Sequence, residues 1–141
     1  MHTIDTKINS IKKITTGLLN YSESFSFAIR DDIIITSHDI NRLIHNLSNY
    51  QLEEKTVNKW PGTELLLGSA KLYFFSLTIE SAAIISEYED YLYKWIHPKL
   101  PEDLIFYREQ RPVFVSITHE NDAYFELNDD EIDIFSKRGL M

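Results

Sequence analysis

W-I-H-P-K-L-P-E-D-L-I-F-Y-R-E-Q-R-P-V-F-V-S-I-T-H-E-N-D-A-Y-F-E-L, residues 95–127, is the stretch around which the rest of the chain is read. Pro98 ends a helix here, because the residue before a proline is driven out of the helical basin. Residues 104–107 then read as an apolar strand, Arg108-Glu109-Gln110-Arg111-Pro112 as a turn, and residues 113–118 as a second, alternating strand. His119-Glu120-Asn121-Asp122 turns the chain into a third strand over residues 123–127. Strands joined by short polar turns and preceded by a helix predict an α+β domain with a mainly antiparallel sheet.

Upstream, residues 80–96 carry the clearest helical pattern, with Ile84, Tyr88, Tyr91, Leu92 and Trp95 on one stripe and Glu87, Glu89 and Asp90 elsewhere. In residues 70–78 both parities are apolar, which predicts a strand covered on both faces and central in the sheet. Trp60-Pro61-Gly62-Thr63 is a turn signal, and the polar residues 51–59 before it read as a loop. Ser37 or Asp39 caps a helix presenting Ile40, Leu43, Ile44 and Leu47. Phe25, Phe27 and Ile29, the turn Arg30-Asp31-Asp32 and then Ile33-Ile34-Ile35 form a hairpin pattern. Residues 4–19 stay open between helix and strand: the apolar spacing is helical, whereas the β-branched content suits a strand. Downstream, Asn128-Asp129-Asp130-Glu131 opens a last helix through Ile132 and Phe135, which Gly139 ends. The expectation is one domain over residues 1–141, with two to four helices packed on the sheet.

A hydrophobic content of 43%, with 13% aromatic residues, supplies a core for a 141-residue domain and argues against disorder. There is no cysteine, so disulfides, thiolate catalysis and zinc-thiolate sites are all excluded. No apolar run is long enough to cross a bilayer, and Met1-His2-Thr3-Ile4-Asp5 lacks the pattern of a signal peptide. Cytoplasmic location is the default expectation. Residues 1–60 balance seven basic against seven acidic residues, whereas residues 61–141 hold seven against fifteen, which accounts for the whole net charge of −8. That excess disfavours nucleic acid and anionic membrane as partners and favours a basic protein.

His119-Glu120-Asn121-Asp122 is the turn with the most chemical capacity, since an imidazole beside carboxylates can act as a general base or metal ligand. Its spacing matches no zinc or calcium template, and Asn and Asp are frequent in turns for backbone reasons alone. His97 is the second imidazole nearby in sequence. Glu102-Asp103 offers adjacent carboxylates, but neighbours in an extended segment point to opposite sides. They could equally cap a turn or pair with Arg108 or Arg111. With four glycines there is no dinucleotide fingerprint, P-loop or nucleophile elbow, so no cofactor is implied.

The W-P-G-T, L-P-E-D-L and S-I-T-H-E-N-D-A-Y-F-E-L stretches, spread over residues 60–131, resemble a family of small bacterial proteins of no established activity. They also resemble, more loosely, the acidic immunity proteins that neutralise polymorphic toxins. The resemblance implies inhibition without catalysis, by covering a basic active site, and transfers no functional residue. Together with the one-sided charge, it makes a non-enzymatic binding protein the first expectation, with Glu102, Asp103, Glu120 and Asp122 meeting a basic partner around an exposed aromatic. A small hydrolase or metal-dependent enzyme using His119 with Glu120 or Asp122 is the second. A self-associating domain is the third, the oligomeric state being open.

Overall fold

The computed structural model describes residues 1–31 and 38–141, and its backbone is an antiparallel sheet with helices on one face. In chain order the elements are β1 (His2–Asp5), α1 (Ile11–Leu18), β2 (Ser24–Arg30), α2 (His38–Asn46), β3 (Gln51–Val57), β4 (Lys59–Trp60), β5 (Thr63–Glu64) and β6 (Ala70–Ser76). α3 (Ile79–Tyr88), β7 (Glu102–Arg108), β8 (Arg111–Ile117), β9 (Asp122–Leu127) and α4 (Asp129–Lys137) complete it. Among the described residues seven strands form one sheet in the order β1-β9-β8-β7-β2-β6-β3, every pair antiparallel, and β4 and β5 make a separate hairpin. The α+β class, the mainly antiparallel sheet and the four helices agree with the sequence expectation.

Strand register follows from side-chain alternation. Phe25 of β2 lies opposite both Phe75 of β6 and Phe106 of β7; Phe106 faces Phe114 of β8, and Phe114 faces Phe125 of β9. Their ring centroids are 5.1–6.0 Å apart, so one row of phenylalanines crosses five strands. The helices bury their apolar stripes on this side: Ile11, Ile14 and Leu18 of α1, Leu43 of α2, Ile85 of α3 and Phe135 of α4 all join the same core. The opposite face carries a smaller cluster, Ala28, Trp60, Ala70, Leu72, Ile105, Tyr107 and Val115, and the β4–β5 hairpin covers part of it.

Local chemistry sets the ends of these elements. Ser10 caps α1 by accepting from the Lys13 N–H, and Thr78 with Ser81 closes a capping box on α3. Asn128 and Glu131 do the same for α4, with Asp129 and Asp130 at its positive end. Glu109 and Gln110, both at positive φ, form the two-residue β7–β8 turn, whose twist matches that of the strands it joins.

Four expectations are corrected. Residues 51–59 are not a loop: β3 is an edge strand exposed on nearly every residue, held by backbone pairing to β6, so its composition shows no alternation. Residues 4–19 are neither all helix nor all strand, but β1 followed by α1. β6 is paired on both sides, yet it is next to the edge rather than central. The helix over 80–96 stops at Tyr88, because Asp90 and Leu92 are recruited elsewhere: the Asp90 carbonyl accepts from Ile11 N–H, its carboxylate accepts from Lys12 N–H, and Leu92 N–H donates to Asn9. The Ile33-Ile34-Ile35 arm of the expected hairpin and the Ser37 cap lie outside the described residues, and Asp39 falls in the first turn of α2.

Gly62 gives the hairpin its seat. Its φ of +87° follows Pro61 in the pattern of a type II turn, and a Cβ there would come within 2.8 Å of the Ile117 side chain. Gly62→Ala is therefore expected to cost about 2–4 kcal/mol, combining left-handed strain with overlap. Gly68 has a φ of +80° but open space around a Cβ, so Gly68→Ala should cost only about 1–2 kcal/mol. Urea unfolding of both variants measures the difference, and equal losses would mean that the hairpin is loosely seated.

Candidate functional site

Three stretches far apart in sequence meet beside the start of β7: the W-P-G-T hairpin, the L-P-E-D-L entry and the turn at residues 118–120. The device that joins them is a bulge. Between the pairs Ser26↔Ile105 and Ala28↔Glu102 the register shifts, and Asp103 takes a φ of +61°. Asp is among the few residues with a side chain that tolerate this region. The bulge cancels the usual alternation, so Glu102 and Asp103 turn into one cluster instead of to opposite faces.

Asp103 is fully buried and ties the three stretches together. Its Oδ2 accepts from the indole N–H of Trp60 at 2.9 Å and from the hydroxyl of Thr63 at 3.3 Å. Its Oδ1 accepts from the backbone N–H of Thr118 at 2.8 Å and from the Thr118 hydroxyl at 3.0 Å. The Asp103 N–H donates back to that hydroxyl at 2.9 Å. Four donors fill the lone pairs of the carboxyl group.

Glu102, only 5% exposed, is held by charge. His97 Nδ1 is 2.8 Å from Oε1, and Arg30 Nη2, at the end of β2, is 3.3 Å from Oε2. His119 Nδ1 stands 3.8 Å from the same oxygen, and its Nε2 faces Glu120 at 3.9 Å. Burial works to raise the Glu102 pKa, but the His97 hydrogen bond and the Arg30 guanidinium outweigh it and hold the group below the usual carboxylate range. Both histidines singled out in the sequence thus meet, through Glu102.

Glu102, Asp103 and His119 each offer a ligand atom, all within 4.8 Å of one another. The donor set fits a cation poorly. The Asp103 oxygens already accept four hydrogen bonds, and the Arg30 guanidinium stands where a metal would balance Glu102.

The expected docking carboxylates divide in two. Glu102 and Asp103 are buried and cannot meet a partner, because the bulge turns them inward; Glu120 and Asp122 are exposed. Beside these two stand Tyr91, 43% exposed, and Tyr93, whose rings meet edge to face at 5.9 Å. Burial, and then the Asp122 carboxylate, push the Tyr93 phenol up. Other acidic residues of the second part are also engaged locally. Glu131, 3% exposed, accepts from Tyr21 and pairs with Arg111 at 2.6 Å, while Asp129 pairs with His2 and Asp133 with Lys137.

Arg30, Trp60 and Thr118 are the site residues that sequence reasoning overlooked. Their signal was indirect: buried carboxyl groups at the entry to an apolar strand require donors, and a tryptophan beside a turn is one source. Comparison of the chain with known protein families, curated proteins and solved structures returns no match.

Two outcomes test the cluster. Trp60→Phe should cost about 1–3 kcal/mol in the wild-type chain and clearly less in an Asp103→Asn background, since the bond it removes is already compromised there. Because the folded state holds Glu102 below its ordinary value of 4.5, its contribution is full above that value and lost as pH falls through the folded pKa. Glu102→Gln should therefore be less stable than wild type near neutrality, with the gap closing on acidification; a gap independent of pH would remove the charge account.

Proposed function

We propose that the chain is a non-enzymatic binding protein of the immunity type, which docks a basic protein partner and covers its active site. The observation that carries this reading is the placing of exposed Tyr91 and half-buried Tyr93 near exposed Glu120 and Asp122, beside a buried cluster. Tyrosines supply contact area at low entropic cost, and carboxylates at the rim steer a cationic partner and select its orientation. The buried Glu102 and Asp103 act beneath this surface as positioning residues: Asp103 fixes the turn at Thr118, and Glu102 stands behind His119. The net charge of −8 adds long-range attraction that salt weakens.

A hydrolase using His119 with Glu120 or Asp122 has less support. The imidazole stands on a 3₁₀ turn with a carboxylate facing each nitrogen, and its inner neighbour Glu102 is already committed to Arg30 and His97.

The test is affinity capture on the immobilised chain, followed by calorimetry with the protein retained. Glu120→Lys with Asp122→Lys should weaken binding about tenfold or more, the loss falling mainly on the association rate, and Tyr91→Ala should raise the dissociation rate. Retention unchanged by the charge reversal and insensitive to salt would overturn the reading.

A further inference from the structure

We infer that the open face of the sheet is a contact surface between two copies of this chain, with Leu66 and Leu67 of each seated in a groove of the other. Leu66 and Leu67 are 96% and 91% exposed, the highest values among the large apolar side chains described. The loop after β5 carries Leu65 into the apolar cluster of the open face and turns the next two leucines out to solvent. Its position is fixed: Leu65 N–H donates to Asn58, and Asp31 N–H donates to the Ser69 carbonyl.

The same chain offers a matching hole on that face, a groove of about 630 Å³ between the hairpin and β3. Leu72, Phe74 and Tyr107 line it along the sheet, the two rings 5.6 Å apart, with Trp60 of the hairpin, Pro112 and Leu52 also contributing. Leu52 is 60% exposed, at a register shift that leaves it out of the ladder with β6.

Charge favours a second copy as the occupant. The groove carries Glu23 and Glu53 against Lys55 and Lys59, so it is balanced in a chain of net charge −8. A two-fold interface brings each patch against its own copy, and a balanced rim permits that approach where a one-signed rim would repel it. The same neutrality gives no steering to a cationic partner, which separates this face from the Tyr91–Asp122 surface. Pairing of two copies along the β3 edge is disfavoured, because a two-fold axis at the middle of that strand sets Glu53, Glu54 or Lys55 opposite itself. An anionic lipid surface is disfavoured by the overall charge.

Sedimentation equilibrium of the full chain across the micromolar range tests the inference. Wild type should be a dimer, while Leu66→Asp with Leu67→Asp, and separately Leu52→Glu, should each weaken association ~30-fold or more. All three side chains are exposed, so circular dichroism should stay at the wild-type value, and the melting temperature should match that of wild type diluted below its dimerisation range. Mixing the two variants should restore part of the association, because one intact leucine pair then meets one intact groove. Wild type that stays monomeric throughout, a dimer that survives Leu66→Asp with Leu67→Asp, or a mixture no better than its components would overturn it. Capture of a basic partner through Glu120 and Asp122 should be unaffected by the leucine variants, so the two proposals fail separately.

Discussion

The row of opposed phenylalanines, Phe75–Phe25–Phe106–Phe114–Phe125, is the constraint on which the remainder of the molecule depends. Side chains alternate with a period of two, so a slip of one residue in any of these strands would carry its phenylalanine to the other face. Each contact adds roughly 0.5–1.5 kcal/mol beyond the area it buries. The row also aligns the helices, since Phe135 of α4 packs against Phe125 and Tyr21 packs on Phe135. At its far end Ile4 of β1 lies opposite Phe125, extending the apolar line to the first strand.

The bulge at Asp103 lies where that row releases its hold on β7. Phe106 and Phe25 are locked together, and the shift falls a few residues earlier, between Ile105 and Glu102. A strand entering with perfect alternation would send Glu102 and Asp103 to opposite faces, leaving one of them without donors. The left-handed turn at Asp103 instead gathers both, and the indole of Trp60 and the backbone of Thr118 meet the cost of burying the carboxyl group. The W-P-G-T hairpin is thus docked at two points, by Trp60 on Asp103 and by Gly62 against Ile117.

Much of this fold was legible in the chain. Strands β7, β8 and β9, their turns and α4 follow from apolar alternation and from capping residues that act locally. β3 was not legible, because an edge strand exposed on both faces has no periodicity to display, and only β6 makes it a strand. The premature end of α3 was equally hidden, since it arises from Asp90 serving a helix some eighty residues earlier in the chain. For the site, the chemically capable residues and the exposure of Glu120 and Asp122 are legible in the sequence, but the burial of Glu102 and Asp103 is not. Alternation predicted opposite faces for Glu102 and Asp103, and a bulge has no signature in sequence spacing. The charge excess is legible as a sum, but its surface share is smaller, because Glu102, Asp103 and Glu131 are interior.

The pairing of β1 with β9 has a consequence for how the molecule comes into being. His2 is matched to Leu127 and Asp5 to Tyr124, so the first strand has no place in the sheet until the ninth has left the ribosome. Closing a loop of that length carries a large entropic cost ahead of any reward, which slows topologies of this kind. During synthesis the N-terminal segment must wait unpaired, and Ile4 and Ile8, which pack against the finished core, spend that interval without their apolar shelter. Those side chains gain their shelter only when residues 122–127 are in place to receive the first strand.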